Sequence, residues 1–176
     1  MNKEYNIIFL DIDGVLNGYN KWNLLGWKIL SKINYKPLEL WYKCITNPFG
    51  IHESKVKRLT KIVKATNAKM VLSSTWRINQ QSENYKLLIS MFNKYNVEII
   101  DITPISKNKH RGIEISKWLD INRSIVKNFI ILDDEIADMN PFINSPRLIQ
   151  TIDDSKHRYK GLNGKHVKES IKMLRL

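Results

Sequence analysis

The apolar run Tyr5 to Leu10, broken only by Asn6, passes directly into Asp11-Ile12-Asp13-Gly14-Val15-Leu16-Asn17, and no other stretch narrows the possible folds as much. The run reads as a buried strand that delivers two carboxylates to a turn. Residues two apart on an extended strand point the same way, so Asp11 and Asp13 are expected on one side of the strand end while Ile12 turns toward packing. Gly14 then lets the backbone leave sharply. Carboxylates this close repel one another and raise a pKa unless a cation sits between them. A hard divalent ion with oxygen ligands suits that place, so the pair implies Mg²⁺. The arrangement suits phosphoryl transfer through an aspartyl intermediate.

The rest of the chain repeats the theme of strand and polar terminus. Lys69 to Leu72 ends in Ser73-Ser74, Val97 to Ile102 is stopped by Pro104, and Phe129 to Leu132 ends in Asp133-Asp134. Arg147 to Ile152 is compatible with a fifth strand. Helical spacing marks Ser54 to Ala65 (Val56, Leu59, Ile62, Val63), with Ser54 as N-cap and Asn67 near the stop. It also marks Ser82 to Tyr95, Arg111 to Ile121 through Ile115, Trp118 and Leu119, and a closing helix through Val167, Ile171 and Leu174. Strands alternating with helices predict an α/β fold with a doubly wound, mostly parallel, Rossmann-like sheet. Ligands of such sheets lie beyond the carboxyl ends of the strands. The acidic pairs and the serines all follow predicted strands, which would bring them to one edge. Residues 18–50 break the pattern, with Trp22, Trp27, Trp41, Tyr19, Tyr35 and Tyr42 at no clear period, and read as a small cap or insert within a single domain spanning 1–176.

A chain of 176 residues suits one core. Its 43% hydrophobic and 26% charged content excludes disordered and collagenous classes. No apolar stretch approaches the roughly 20 residues of a membrane span, and the first apolar run lacks the pattern of a secretory signal. One cysteine, Cys44, cannot form an internal disulfide, which favours a reducing cytoplasm. The net charge of +12 attracts polyanions, with nucleic acid as the obvious partner; a merely solvated basic surface reads equally well. His52, His110, His157 and His166 lack zinc spacing and read as surface residues.

Taken in order, Phe9-Leu10-Asp11-Ile12-Asp13-Gly14-Val15-Leu16-Asn17, Val71-Leu72-Ser73-Ser74-Thr75-Trp76-Arg77, Arg111-Gly112-Ile113-Glu114-Ile115 with Trp118-Leu119, and Ile131-Leu132-Asp133-Asp134 resemble the haloacid dehalogenase-like (HAD) superfamily. Within it, they resemble the HAD domains described as Swiss-army-knife RNA repair-like, and the late Thr151 followed by Gly161-Leu162 adds to the likeness. The likeness covers most of the chain and fails mainly across 18–50.

The resemblance implies a phosphatase in which Asp11 is the nucleophile and Asp13 is the general acid, then the base. Ser73 would bind a phosphoryl oxygen, with Ser74 a close second. The family usually supplies a lysine as its third element; here Arg111 is the best placed cation, with Lys109 and Lys107 just before it. Asp11, Asp133 and the main-chain carbonyl of Asp13 would hold Mg²⁺, with Asp134 orienting ligand waters and Asp138 in reserve. Trp76 and Arg77 would pack near or contact substrate. A calcium loop is the rival reading of Asp11-Ile12-Asp13-Gly14, but the further oxygen ligands and terminal Glu of that pattern are absent. The expected substrate is a nucleotide or a nucleic-acid terminal phosphate such as a polynucleotide 3′-phosphate. The alternatives are a small-molecule phosphatase acting on mononucleotides or sugar phosphates, and a catalytically silent nucleic-acid-binding module.

Overall fold

The computed structural model describes residues 3–17, 50–107, 110–151 and 161–176. The expected insert (apart from Gly50), Cys44, Lys109 and His157 lie outside the described residues. Five strands, β1 (Tyr5–Leu10), β2 (Lys69–Leu72), β3 (Ile99–Ile102), β4 (Val126–Asp133) and β5 (Leu148–Gln150), form one sheet in the order β3-β2-β1-β4-β5. Every pairing is parallel, so the mostly parallel sheet expected from the sequence is wholly parallel among the described residues. Among the described residues four α-helices accompany it: α1 (Glu53–Thr66), α2 (Glu83–Tyr95), α3 (Arg111–Ile121) and α4 (Gly164–Leu174). None is long and apolar enough to cross a membrane.

The alternation of β1 explains the layering. Ile8 and Leu10 enter one buried cluster with Val56, Leu59 and Ile62 of α1, Leu88 and Phe92 of α2 and Leu174 of α4. Ile7 and Phe9 face the opposite way, into a smaller cluster with Ile115 and Trp118 of α3, where the Phe9 ring meets Trp118 edge-on at 5.3 Å between centroids. Three helices therefore cover one face and α3 covers the other. Burying each of these large side chains contributes roughly 1.5–3 kcal/mol, which fixes α3 and the residues at its start against the sheet. The strand order reverses beside β1, and Leu10 pairs in register with both Leu72 and Leu132. Asp11, Ser73 and Asp133, the residues that follow these three, thus emerge level with one another at the switch point of the sheet.

Several local expectations change. Ser54 is not the cap of α1: the amide of His52 donates to Leu16 O (3.0 Å), pinning the chain so that the helix begins at Glu53 with His52 as N-cap. Ser82 does cap α2, accepting from the Tyr85 amide at 3.2 Å, and Asn67 and Asn96 end α1 and α2 in the left-handed conformation at φ 52° and 54°. The third strand starts later than Val97 because the Val97 amide still closes the end of α2, donating to Phe92 O at 3.0 Å. β4 starts earlier than Phe129, since Asn128 is buried and its side-chain Nδ2 donates to Met173 O (2.8 Å). His166 is buried as well, where its Nδ1 accepts from the Asn163 amide in the capping box of α4, contrary to its reading as a surface residue.

Candidate active site

Asp11 continues β1 by one residue, its amide donating to Leu132 O at 3.0 Å, and its side chain is buried. One Asp11 oxygen lies 3.1 Å from Arg111 Nη1, and the same nitrogen bonds Asp133, which is fully buried. The Ser74 side chain favours the ionised form of Asp11. Asp133 also accepts from the Glu135 amide at 2.9 Å. Asp134 completes the acidic group: carboxylate oxygens of Asp11, Asp133 and Asp134 lie within 4.8 Å of one another. Asp134 therefore belongs to the acidic cluster itself, where the sequence suggested only a supporting place.

Backbone geometry explains why the cluster can form. Gly14 has φ +71°, and a Cβ there would fall 2.1 Å from Asp134 Cγ, so the left-handed turn and the space it leaves are both required. Arg111 opens α3, and the next residue, Gly112, donates to Asp138 O (2.9 Å) where a Cβ would meet Asn140 O at 2.3 Å. This close approach seats the start of α3 beside the end of β4. Thr151 links the two acidic loops, its hydroxyl donating to Gly14 O at 2.8 Å and its amide to Asp133 O at 2.9 Å.

The pairing of Asp11 and Asp13 along one strand face does not hold. The chain turns after Asp11, with the amides of Val15, Leu16 and Asn17 all directed to Ile12 O. Asp13 is presented by this turn. One of its carboxylate oxygens accepts from Asn17 Nδ2 at 2.6 Å and the other from the Trp76 indole at 3.0 Å. Its carboxylate is outside the acidic cluster, and neither the Asn17 nor the Trp76 contact was foreseen. Ser73 is fully buried with no hydrogen-bond partner for its hydroxyl. Arg77, expected near substrate, is instead buried beneath the site, its guanidinium bound to Ser73 O, Ser74 O, Thr103 O and Glu114. Asp138 is half-buried, and its charge helps to hold Arg111 protonated. Lys107 is exposed.

Three carboxylates facing one guanidinium carry two excess negative charges when all are ionised. Burial pushes the Asp11 carboxyl up to about 6; Arg111 and the Ser74 hydroxyl oppose the rise, while Asp134 and Asp13 add to it. Asp133 is pushed to about 8, by burial first and then by Asp11, against the pull of Arg111. Asp134 is raised too, chiefly by burial. Burial works against the Arg111 charge, but Asp11 and Asp133 outweigh it. The donor set therefore fits a divalent cation: clustered oxygens, a charge deficit of the right size, and a span suited to one oxygen shell.

Linkage gives the sign of the pH effect. Between the ordinary carboxyl value of 3.8 and the raised values of about 6 and about 8, the folded state binds more protons than the unfolded one, so stability falls as pH rises. In chelator, the melting temperature is expected to drop from pH 5 to pH 8, and saturating Mg²⁺ to raise it by about 5 °C or more at pH 8 but little at pH 5. Comparing the chelator and Mg²⁺ profiles cancels titrations elsewhere in the chain. An equal Mg²⁺ effect at both pH values would place the ion away from these carboxylates.

A family model described as "HAD domain in Swiss Army Knife RNA repair proteins" matches residues 7–167, from β1 into α4. Comparisons with curated proteins and with solved structures give no match.

Proposed function

We propose that this chain, which belongs to the family of HAD domains in Swiss Army Knife RNA repair proteins, is a Mg²⁺-dependent phosphomonoesterase working through an aspartyl-phosphate, with a nucleotide or nucleic-acid terminal phosphate such as a polynucleotide 3′-phosphate as substrate. Family membership supports a phosphatase-type function. The observation that carries the finer reading is Asp11 itself, a buried carboxylate at the end of the central strand, paired with an Arg111 that also bonds Asp133.

In this reading an Asp11 oxygen forms a bond to phosphorus as the bond to the leaving oxygen breaks, and Asp13 donates a proton to that oxygen. Asp13 then takes a proton from water as the water attacks the same phosphorus, releasing phosphate and restoring Asp11. Asn17 and Trp76 orient Asp13 for both transfers. Arg111 offsets charge on the nucleophile and the phosphoryl oxygens, and Ser73, with its unpaired hydroxyl, is the candidate donor to one of those oxygens. Mg²⁺, held by Asp11, Asp133 and Asp134 with the main-chain carbonyl of Asp13, would screen the negative charges that otherwise keep nucleophile and phosphate apart.

The net charge of +12 supports a polyanionic substrate. A phosphate-release screen across 3′- and 5′-phosphorylated oligonucleotides, mononucleotides and sugar phosphates tests the whole reading. We expect turnover of a 3′-phosphorylated oligonucleotide to fall on the order of 100-fold between 50 and 200 mM salt, as about four phosphate contacts release counterions. Turnover of mononucleotides should barely change. A flat response on both would assign the site to small molecules, and tight oligonucleotide binding without phosphate release in Mg²⁺ would leave a silent binding module.

A further inference from the structure

Arg77 sits on the short helical turn Thr75–Ile78 that follows Ser73 and Ser74, and its side chain is 4% exposed, as is that of Glu114 on α3. Its Nε donates to Thr103 O at 3.0 Å, Nη1 donates to Ser73 O and to Ser74 O (2.7 Å), and Nη2 meets Glu114 Oε2 at 2.5 Å. The other Glu114 oxygen accepts from the Ser106 amide at 2.7 Å. One ion pair thus fastens the segment after β2, the segment after β3 and helix α3 to one another.

Two of the three fastened segments carry groups of the active site. The segment after β2 carries Ser74, which favours the ionised form of Asp11, and Trp76, which precedes Arg77 and bonds Asp13; on α3, Arg111 lies one turn before Glu114. A buried ion pair is weak evidence for stability, because desolvation offsets most of its attraction. Its planar fork, by contrast, sets several acceptors at fixed angles, which a lysine cannot do. We propose that Arg77 and Glu114 are positioning residues that hold Ser74, Trp76 and Arg111 in register around Asp11 and Asp13. The proposal rests on the phosphatase reading above.

The test uses Arg77→Lys and the isosteric Glu114→Gln, assayed at 10 °C with p-nitrophenyl phosphate and Mg²⁺ after each is shown to be folded at that temperature. Displacing catalytic groups by a fraction of an ångström to 1 Å should lower kcat, by about 100-fold for Arg77→Lys and about tenfold for Glu114→Gln. KM should stay within about threefold, because the lost alignment acts at the transition state. The indole N–H resonance of Trp76, assigned with Trp76→Phe, should shift in both variants as its bond to Asp13 changes. A merely structural pair predicts wild-type kcat in whatever fraction is folded, and that result would overturn the proposal. If the wild-type protein releases no phosphate, the phosphatase reading fails by itself, and the Trp76 resonance decides the matter: unmoved, it removes the positioning role; moved, it keeps Arg77 and Glu114 as the supports of Asp13.

Discussion

Replacing Asp11 with asparagine is expected to lower phosphate release by at least about 10⁴-fold and, at the same time, to raise the melting temperature of the Mg²⁺-free protein at pH 7.5. The two effects have one origin. At pH 7.5 the folded protein holds Asp11 ionised in a buried place where its carboxyl titrates near 6, against 3.8 when unfolded. Folding therefore works against that charge, and a neutral amide of the same shape removes the penalty while its oxygen stays beside Arg111. The gain is on the order of a few kcal/mol at most, less whatever the new NH₂ group fails to bond. The amide has no anionic oxygen to attack phosphorus, so chemistry stops while structure improves, as befits a site strained for function. Phosphate release and thermal unfolding measured on the same preparation separate the outcomes. Turnover near wild type would end the aspartyl-phosphate reading, and a lowered melting temperature would show that Asp11 supports the fold rather than straining it. Beryllium fluoride bound by the wild-type protein but not by Asp11→Asn would locate the phosphoryl position at the same oxygen.

The uneven legibility of the chain has physical causes. β1, β2 and the end of β4 are covered on both faces, so their sequences are largely apolar, and the polar residues that end them stood out against that background. The start of β4 was hidden because Lys127 and Asn128 look like loop, although Asn128 buries its amide on α4. The insert after the first strand lies outside the described residues, so its expected role over the site rests on the sequence reading alone. Within the site, Asp11, Asp133 and Arg111 were readable from their places after strands and at a helix start. The membership of Asp134 was not, because it depends on the empty space at Gly14, a property of the turn and not of either residue alone. The partners of Asp13 and Arg77 were unreadable for a different reason. Trp76 lies 63 positions from Asp13 and Glu114 lies 37 from Arg77, and only the strand order brings such residues together. A faint signal existed for Glu114: it is an acidic residue beside Ile115 and three before Lys117, on the side of α3 that packs inward.

Arg111→Met is expected to lower kcat by about 10³-fold and to destabilise the Mg²⁺-free protein by about 3–5 kcal/mol at pH 8, because it leaves Asp11 and Asp133 buried without their shared cation. The sign of the pH effect follows from the same pair. Without Arg111 both carboxyls rise further above 3.8, so at pH 5 they protonate and much of the destabilisation disappears. Mg²⁺ should restore most of the lost melting temperature at pH 8, since it replaces the missing positive charge on the carboxylates. It should not restore kcat, because an ion at the acids does not supply the donors that Arg111 presents to the phosphoryl oxygens. Arg111→Lys separates charge from geometry. A lysine keeps the positive charge and should keep kcat within about tenfold, although a point charge on a flexible stem cannot present a planar fork to both carboxylates. If Arg111→Met leaves turnover intact and Lys109→Met abolishes it, the cation of the reaction is Lys109, and Arg111 serves only to neutralise a buried acidic pair.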